Sequence, residues 1–160
     1  EIVPGAGQIP GSRPRAVEGG RSFAFGDIEK GSAVPAFMRD PGRAMALLDV
    51  SLVIQTLVAL GRAGLDAGMD VYTEGGFRRN RDYTALLAAA LPGNSTYVTD
   101  LAEATSFGAA MCAVAALEGL EPAALAERFE VDYRNIAPMA GAAGFAAYSD
   151  EWLRLVGGAC

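Results

Sequence analysis

The stretch VYTEGGFRRN at residues 71–80 decides the fold that this sequence predicts. Its first three residues are β-branched or aromatic, so they predict the end of a short strand. Gly75 and Gly76 then make a turn, and Asn80 begins a helix that we expect to reach Leu91. A strand that leads directly into a helix is typical of an α/β fold.

Helices and strands alternate on both sides of this stretch. Upstream, a long helix is predicted over residues 42–63, because Asp40 is a favourable N-cap and Pro41 suits the first helical position. The sequence also predicts strands at 69–73, 96–99 and 130–136, and shorter helices at 80–91, 103–117, 122–129 and 148–156. We therefore expect an α/β domain in which helices pack on a small sheet.

Residues 1–41 contain closely spaced prolines and glycines, which interrupt any long helix or central strand. We expect this segment to be irregular, with at most one short strand at residues 22–25. A domain rarely begins with so long an irregular segment. Either this segment wraps a neighbouring body, or residues 1–160 are cut from a longer protein, and we expect the second. The irregular lead-in over 1–41 would then precede a helix and strand subdomain over 42–160.

The composition excludes several functional classes. The chain has 13 basic and 19 acidic residues and a net charge of −6, opposite in sign to that of most nucleic-acid-binding proteins. The absence of histidine excludes imidazole metal ligands and catalytic serine–histidine or cysteine–histidine pairs. Cys112 and Cys160 lack metal-ligand spacing, so we expect no metal site and a reducing, cytoplasmic environment.

The longest apolar stretch, residues 44–60, contains Asp49, Gln55 and Thr56. Because charged and polar groups are costly in a bilayer, we expect no membrane span here but the buried helix of a globular domain. Three leucines of this helix should then be largely buried: Leu48, Leu52 and Leu57.

The glycine pair at the end of the predicted strand is a candidate binding site. Ligands of open α/β sheets lie beyond the carboxyl ends of strands, and Gly75 and Gly76 would let the main chain approach a ligand closely. Asn80 could present its amide to a nucleotide or could cap its own helix. No Walker or Rossmann pattern surrounds the pair, so a plain strand-to-helix turn remains an alternative.

Two other groups of residues also have two interpretations. The arginines at residues 78–81 form either an anion site or a solvated helix face. Ala104, Gly108 and Cys112 share one face of a predicted helix, which suits close packing more than it suits a ligand.

Several motifs follow one another in a fixed order. EGGFRRN at residues 74–80 is followed by LPG at 91–93, and the next predicted strand leads to EATSFGAA at 103–110. A proline- and glycine-rich loop at 3–11 precedes the long helix, and a closing helix at 148–153 ends the set. The set resembles the carboxyl-terminal domain of FGGY-family carbohydrate kinases, which carries Gly-Gly-x-x-x-Asn after a strand and Glu-Ala-Thr-x-x-Gly-Ala-Ala at the start of a helix.

The resemblance implies a partial ribonuclease-H-like domain of the actin-like ATPase superfamily, in which two domains close on ATP, Mg²⁺ and a sugar. It implies that the adenosine and α-phosphate side of ATP contacts four residues: Gly75, Gly76, Phe77 and Asn80. Phe77 stands where the family more often has glycine or a small residue. Residues 88–89 are Ala-Ala where the family more often has Ala-Asp.

The family's catalytic aspartate and Gly-Thr phosphate loop precede its Pro-Gly loop, whereas Gly-Asp at residues 26–27 follows that loop. The resemblance therefore implies that this chain holds no catalytic residue and no Mg²⁺ ligand. The implied function is the carboxyl-terminal portion of a kinase that transfers the γ-phosphoryl group of ATP to a sugar or polyol hydroxyl. This chain alone would be inactive without the missing amino-terminal kinase domain.

Two other functions stay open: a non-catalytic binding or interaction module with the same fold, or another actin-like ATPase. If the kinase interpretation is correct, apolar faces that meet the rest of the enzyme should be exposed, or covered by a companion chain or by a second copy in a homo-oligomer. The expected ligands are ATP or ADP and the sugar or polyol, and we expect no nucleic acid or membrane partner.

Overall fold

The computed structural model describes residues 2–3, 9, 11–101 and 103–157. Within these residues it has two three-stranded sheets with helices, and the chain divides into two compact units. The first unit comprises Glu1–Ala67 with Met139–Cys160, and the second comprises Gly68–Pro138. The mixed α/β class expected from the sequence is confirmed, although the one expected sheet is replaced by two.

The first unit contains an antiparallel sheet with the order β1 (Ile2–Val3), β2 (Arg15–Glu18) and β3 (Arg21–Ala24). Its helices are α1 (Phe25–Glu29), α2 (Pro41–Arg62) and α6 (Phe145–Gly157), with 3₁₀ turns at Ala36–Arg39 and Ala142–Gly144. The predicted closing helix is thus confirmed as α6. The proline- and glycine-rich loop at 3–11 lies mostly outside the described residues.

Residues 15–29 and 36–39 form strands, a short helix and a 3₁₀ turn, so the prediction of an irregular segment is wrong there. β2 and β3 form a hairpin with Glu18 opposite Arg21, and Gly19 and Gly20 between them have φ angles of 56° and 76°. Positive φ at both central positions defines a type I′ turn, whose twist matches that of a hairpin. The glycines that argue against one long strand therefore build the turn between two short strands.

The Glu18 carboxylate connects this hairpin to the following 3₁₀ turn. It accepts hydrogen bonds from the backbone N–H groups of Ala36 and Phe37 at 2.7 and 3.1 Å. These bonds, the one from Ala36 first, hold the pKa of Glu18 below its ordinary value because they stabilise the charged carboxylate. Phe37 is buried together with Ala16 and Phe23, so this part of the lead-in has a small core of its own.

Helix α2 begins and ends within a residue of the predicted bounds, and the Asp40 carboxylate accepts a hydrogen bond from the Arg43 N–H at 3.1 Å, as an N-cap does. Ile54, near the middle of the helix, is buried and packs against Trp152 of α6 and Val17 of β2.

The prediction that Leu48, Leu52 and Leu57 are largely buried is confirmed only in part: all three are half-buried, and none is fully covered. The fully covered positions of α2 are Asp49, Ser51, Val53 and Ile54. At about 100° per residue, the four covered positions spread over roughly 200° of the helix circumference. All four lie within residues 49–54, so full burial is confined to the middle of α2, and none of the three leucines belongs to this group.

By length and composition, α2 could cross a membrane, contrary to the sequence-based expectation. Its most apolar 18-residue window has a mean hydropathy of 1.9, and 22% of that window is buried. Core helices of water-soluble proteins meet the same criteria, so these numbers do not assign α2 to a bilayer. Its contacts favour a packed interior, because Asp49 is buried and buried Ser51 accepts a hydrogen bond from Trp152 Nε1 at 3.3 Å.

The second unit contains the sheet that the sequence predicts. β4 (Val71–Thr73) pairs in parallel with β5 (Thr96–Thr99), and β6 (Tyr133–Asn135) pairs antiparallel with β5. Its helices are α3 (Arg81–Ala90), α4 (Ala104–Glu118) and α5 (Pro122–Arg128), and a 3₁₀ turn spans Gly75–Arg79. All helices and strands predicted over residues 69–136 are confirmed, with small shifts at their ends.

The core of the second unit follows from this topology. Helix α3 connects the two parallel strands, and it buries Leu86 and Leu87, while Val71 and Val98 are the buried apolar residues of β4 and β5. The connection fixes the carboxyl ends of β4 and β5 at one edge of the sheet, which is where ligands of open α/β sheets bind.

Candidate functional site

The turn after β4 has an open backbone. Gly75 has a φ of 65°, and it starts the 3₁₀ turn that ends at Arg79. A Cβ atom added at Gly75 or at Gly76 would meet no atom within 4 Å, so the space beside both residues is open. A ligand could therefore approach this main chain closely. Of the two glycines, only Gly75 needs the left-handed conformation.

Of the two roles predicted for Asn80, the structure shows the helix cap. Its side-chain oxygen accepts a hydrogen bond from the Tyr83 N–H at 3.0 Å, which makes it the N-cap of α3. Just before it, the Phe77 ring lies against the Tyr83 ring, with 4.8 Å between the centroids, and about half of Phe77 is exposed. The cap and the ring pair fix the turn to the start of α3.

The segments that follow β4 and β5 line one cavity of about 600 Å³. Glu74 comes directly after β4, whereas Leu101 follows β5, and Ala104 and Gly108 lie on α4. Residues of the EGGFRRN and EATSFGAA motifs thus border the same space. None of the four predicted contact residues lines this cavity, but Glu74 is adjacent to Gly75.

The walls of this cavity combine aromatic, aliphatic and acidic side chains. Phe107 of α4 contacts Phe129 edge to face, with 5.6 Å between the ring centroids. Met111 adds apolar surface, Glu74 and Glu130 add carboxylates, and no lysine or arginine is among the described lining residues. Such a cavity suits a flat apolar ring that carries hydrogen-bond donors, and it does not suit a phosphate.

Sequence reasoning missed the lining residues Phe129, Glu130 and Tyr133. They lie at the end of α5 and the start of β6, where the sequence shows only a short edge strand and no motif. Their common position depends on β6 pairing with β5, with Tyr133 opposite Thr99.

The small residues of α4 do not pack closely. Ala104 and Gly108 line the cavity, a Cβ atom at Gly108 would meet no atom within 4 Å, and the Cys112 thiol is exposed. The packing interpretation is therefore wrong at Gly108, because Gly108 borders the open cavity.

The fold places the three arginines of residues 78–81 in different surroundings. The Arg78 guanidinium donates a hydrogen bond to the Thr99 carbonyl at 3.3 Å, across the end of β5. Arg78 and Arg81 line a second cavity, whereas Arg79 is exposed and does not. Arg134 of β6 also lines this cavity, and nothing in the sequence connects it with the other two.

Three tyrosine rings contact one another on the sheet of the second unit. Tyr72 is stacked on Tyr97 with 5.3 Å between centroids, and it contacts Tyr133 edge to face at 4.7 Å. Partial desolvation by its neighbours, together with the Asp70 carboxylate, raises the pKa of Tyr72 above its ordinary value. Tyr72 is therefore a neutral hydrogen-bond donor at physiological pH and adds no charge to the site.

In the part of the chain that the structure describes, no three or more aspartate, glutamate or cysteine side chains are grouped so that they could hold a metal ion.

The sequence matches the family model described as "Carbohydrate kinase FGGY, C-terminal domain" over residues 14–122. The match covers more than half of the chain and includes the hairpin, α2 and both motifs that border the first cavity. No curated protein and no solved structure matches the sequence significantly.

Proposed function

Because this chain belongs to the FGGY family of carbohydrate kinases, as part of the carboxyl-terminal domain, we propose that it forms the adenosine side of the ATP site of a sugar or polyol kinase. The family assignment confirms the resemblance that the motifs indicate. The proposal adds the nucleotide role, the actin-like, ribonuclease-H-like arrangement and a cytoplasmic location.

One observation carries the nucleotide role: the two family motifs border the same cavity at the carboxyl ends of β4 and β5. Glu74 represents the first motif there, and Ala104 and Gly108 represent the second. Residues this far apart in sequence line a common space only because β4 and β5 are parallel and adjacent.

The chemistry of the cavity fits the adenine end of a nucleotide. Phe107 and Phe129 offer apolar surface to a purine ring, and the carboxylates of Glu74 and Glu130 can accept hydrogen bonds from an exocyclic amino group. Gly75 and Gly76 would lie beside the ribose and the α-phosphate, where their open backbone leaves room. Phe77 would border the same path with its exposed ring.

The rest of the chemistry must come from outside this chain. Phosphoryl transfer depends on positioning and on neutralising charge, and the described residues offer no Mg²⁺ ligand set. In the proposal, the amino-terminal kinase domain and the segment upstream of this chain supply the catalytic base, the phosphate loops, the Mg²⁺ ligands and most of the sugar pocket.

Two apolar helix surfaces support such a completing partner. No described side chain of α4 is fully buried, and Leu117 is 85% exposed. On α2, Met45 is 55% exposed, and Leu48, Leu52 and Leu57 are only half-buried. Exposed apolar surfaces of this kind mark contact sites, so we propose that the remaining kinase or a second copy of the chain covers them.

A non-catalytic interaction module is the second candidate, and the cap made by Asn80 favours it, since a plain turn needs no ligand. ATP binding separates the two functions. We expect the chain to bind ATP with a dissociation constant no better than about 0.1–1 mM, because the phosphate loops are absent.

The test is ligand-observed NMR with ATP on the chain and on two variants, Gly76→Val and Gly144→Val. Both glycines lie in 3₁₀ turns, lack positive φ and have open space beside them, so the second variant is a matched control in the first unit. We expect Gly76→Val to weaken binding severalfold and Gly144→Val to leave it unchanged. Equal binding by all three proteins would remove the glycine pair from the site, and no binding by any of them would favour the interaction module.

A further inference from the structure

A second cavity in the second unit is basic, in contrast to the first. Its volume is about 540 Å³, and three arginines line it from three different elements. Arg78 belongs to the 3₁₀ turn after β4, Arg81 to the first turn of α3, and Arg134 to β6. Thr84 and Ile136 are among the other lining residues.

Only one of the three arginine charges has a carboxylate partner in the described residues, and that partner is a weak one. No aspartate or glutamate is among the described lining residues, although the chain as a whole has a net charge of −6. Asp100 lies 3.8 Å from Arg78, but its side chain is 97% exposed. Neither Arg81 nor Arg134 has a carboxylate within 4 Å among the described residues.

Arg78 is held in place before any ligand arrives. Its side chain is 15% exposed, and its guanidinium is bonded to the Thr99 carbonyl at 3.3 Å. A fixed guanidinium loses little conformational freedom on binding, which favours its use as a ligand contact.

Arg81 and Arg134 are exposed and have no carboxylate within 4 Å in the described part of the chain, so together with Arg78 they leave a net positive charge beside this space that an anion can neutralise. The planar fork of a guanidinium matches phosphate oxygens in particular, and it binds them with two parallel hydrogen bonds. We propose that Arg78, Arg81 and Arg134 form a binding site for a phosphate group, separate from the acidic cavity that would hold the adenine.

The phosphate could come from two sources that share this chemistry. One is the phosphate chain of the nucleotide, and this version rests on the proposed function. The other is a free phosphorylated metabolite such as a sugar phosphate, and this version does not need the adenosine site.

The first experiment is calorimetric titration of the chain with inorganic tripolyphosphate at low salt. Two variants, Arg81→Gln and Arg134→Gln, each remove one lining charge. Arg79→Gln is the matched control, because Arg79 lies in the same turn and loses the same charge but does not line the cavity. Circular dichroism of each variant checks folding, and Arg134→Lys keeps the charge while it removes the fork.

We expect each lining variant to weaken tripolyphosphate binding about tenfold, which is typical of losing a hydrogen bond to a charged group. Arg79→Gln should change it less than twofold, and Arg134→Lys should recover only part of the affinity. Equal weakening by Arg79→Gln, or no binding to the unmodified chain, would overturn the proposal, because the effect would then be one of general surface charge.

Titrations with ATP, adenosine and ribose 5-phosphate then identify the source. Weaker ATP binding by Arg134→Gln with unchanged adenosine binding supports the nucleotide phosphates, and weaker ribose 5-phosphate binding supports a free metabolite. If the lining variants weaken only tripolyphosphate binding, and neither ATP nor ribose 5-phosphate binding changes, the cavity binds an adventitious anion only and the proposal is wrong. Adenosine binding without tripolyphosphate binding would refute this site alone. Ribose 5-phosphate binding that weakens in Arg134→Gln, without any binding of adenosine or ATP, would refute only the proposed function.

Discussion

Replacing Ile54 by alanine should destabilise the first unit far more than replacing Leu57 on the same helix. Ile54 is 1% exposed and packs against Val17, Trp152 and Val156. The change removes three carbon atoms worth about 0.8 kcal/mol each, and the closed site adds a cavity cost, so we expect a loss of about 3–4 kcal/mol. Leu57 is only half-buried, so Leu57→Ala should cost about 1 kcal/mol, because water can fill the space.

Urea unfolding followed by fluorescence measures this difference. The only tryptophan in the sequence, Trp152, packs against Ile54 and therefore reports on the core that the substitution perturbs. Equal slopes of the unfolding free energy against urea would show that both variants unfold from comparably compact states. Equal losses of stability for Ile54→Ala and Leu57→Ala would contradict the difference in burial between these two residues.

Three further predictions concern the turns and caps. Glu18→Gln should lower stability at neutral pH. The difference in stability from the unmodified chain should shrink as the pH falls through the lowered pKa of Glu18. Thermal unfolding between pH 7 and 3 measures this difference, and a difference that grows on acidification would contradict the prediction. Asn80→Ala should cost about 1 kcal/mol in urea unfolding while Asn80→Asp costs much less, and equal costs would argue against the N-cap. Gly75→Ala should cost about 1–2 kcal/mol because of its positive φ, whereas Gly76→Ala should cost little; similar losses would contradict the assigned turn geometry.

The second unit could be predicted from local signals. The β-branched residues of β4, the Asn80 cap and the glycine after α4 each act over a few residues, and the elements that they predict are present. Gly119, for example, has a φ of 65° at the helix end, which is the conformation that favours glycine there.

The lead-in could not be predicted in the same way. Its glycines were compatible with either irregular chain or tight turns, and the choice depends on contacts such as the bonds from Ala36 and Phe37 to Glu18. Likewise, the burial of α2 depends on Trp152, which lies far away in the sequence. Periodicity indicates that a helix is apolar, but it does not show which of its faces meets a neighbour.

The candidate site was predictable only where a motif marks it. The glycine pair and the start of α4 were identified from the sequence, and the structure brings Glu74 and Ala104 to one cavity. Phe129 and Arg134 were missed, because their positions depend on strand pairing between β5 and β6. The two roles predicted for Asn80 included the helix cap, and its side-chain oxygen makes that cap.

The most direct test of the adenosine-side proposal is an amide-resolved NMR titration of the ¹⁵N-labelled chain with ADP. The account predicts that the largest shifts fall in residues 74–80 and at the start of α4, around Gly108, while amides of the first unit barely move. Shifts concentrated in the first unit, or no shifts at millimolar ADP, would contradict it.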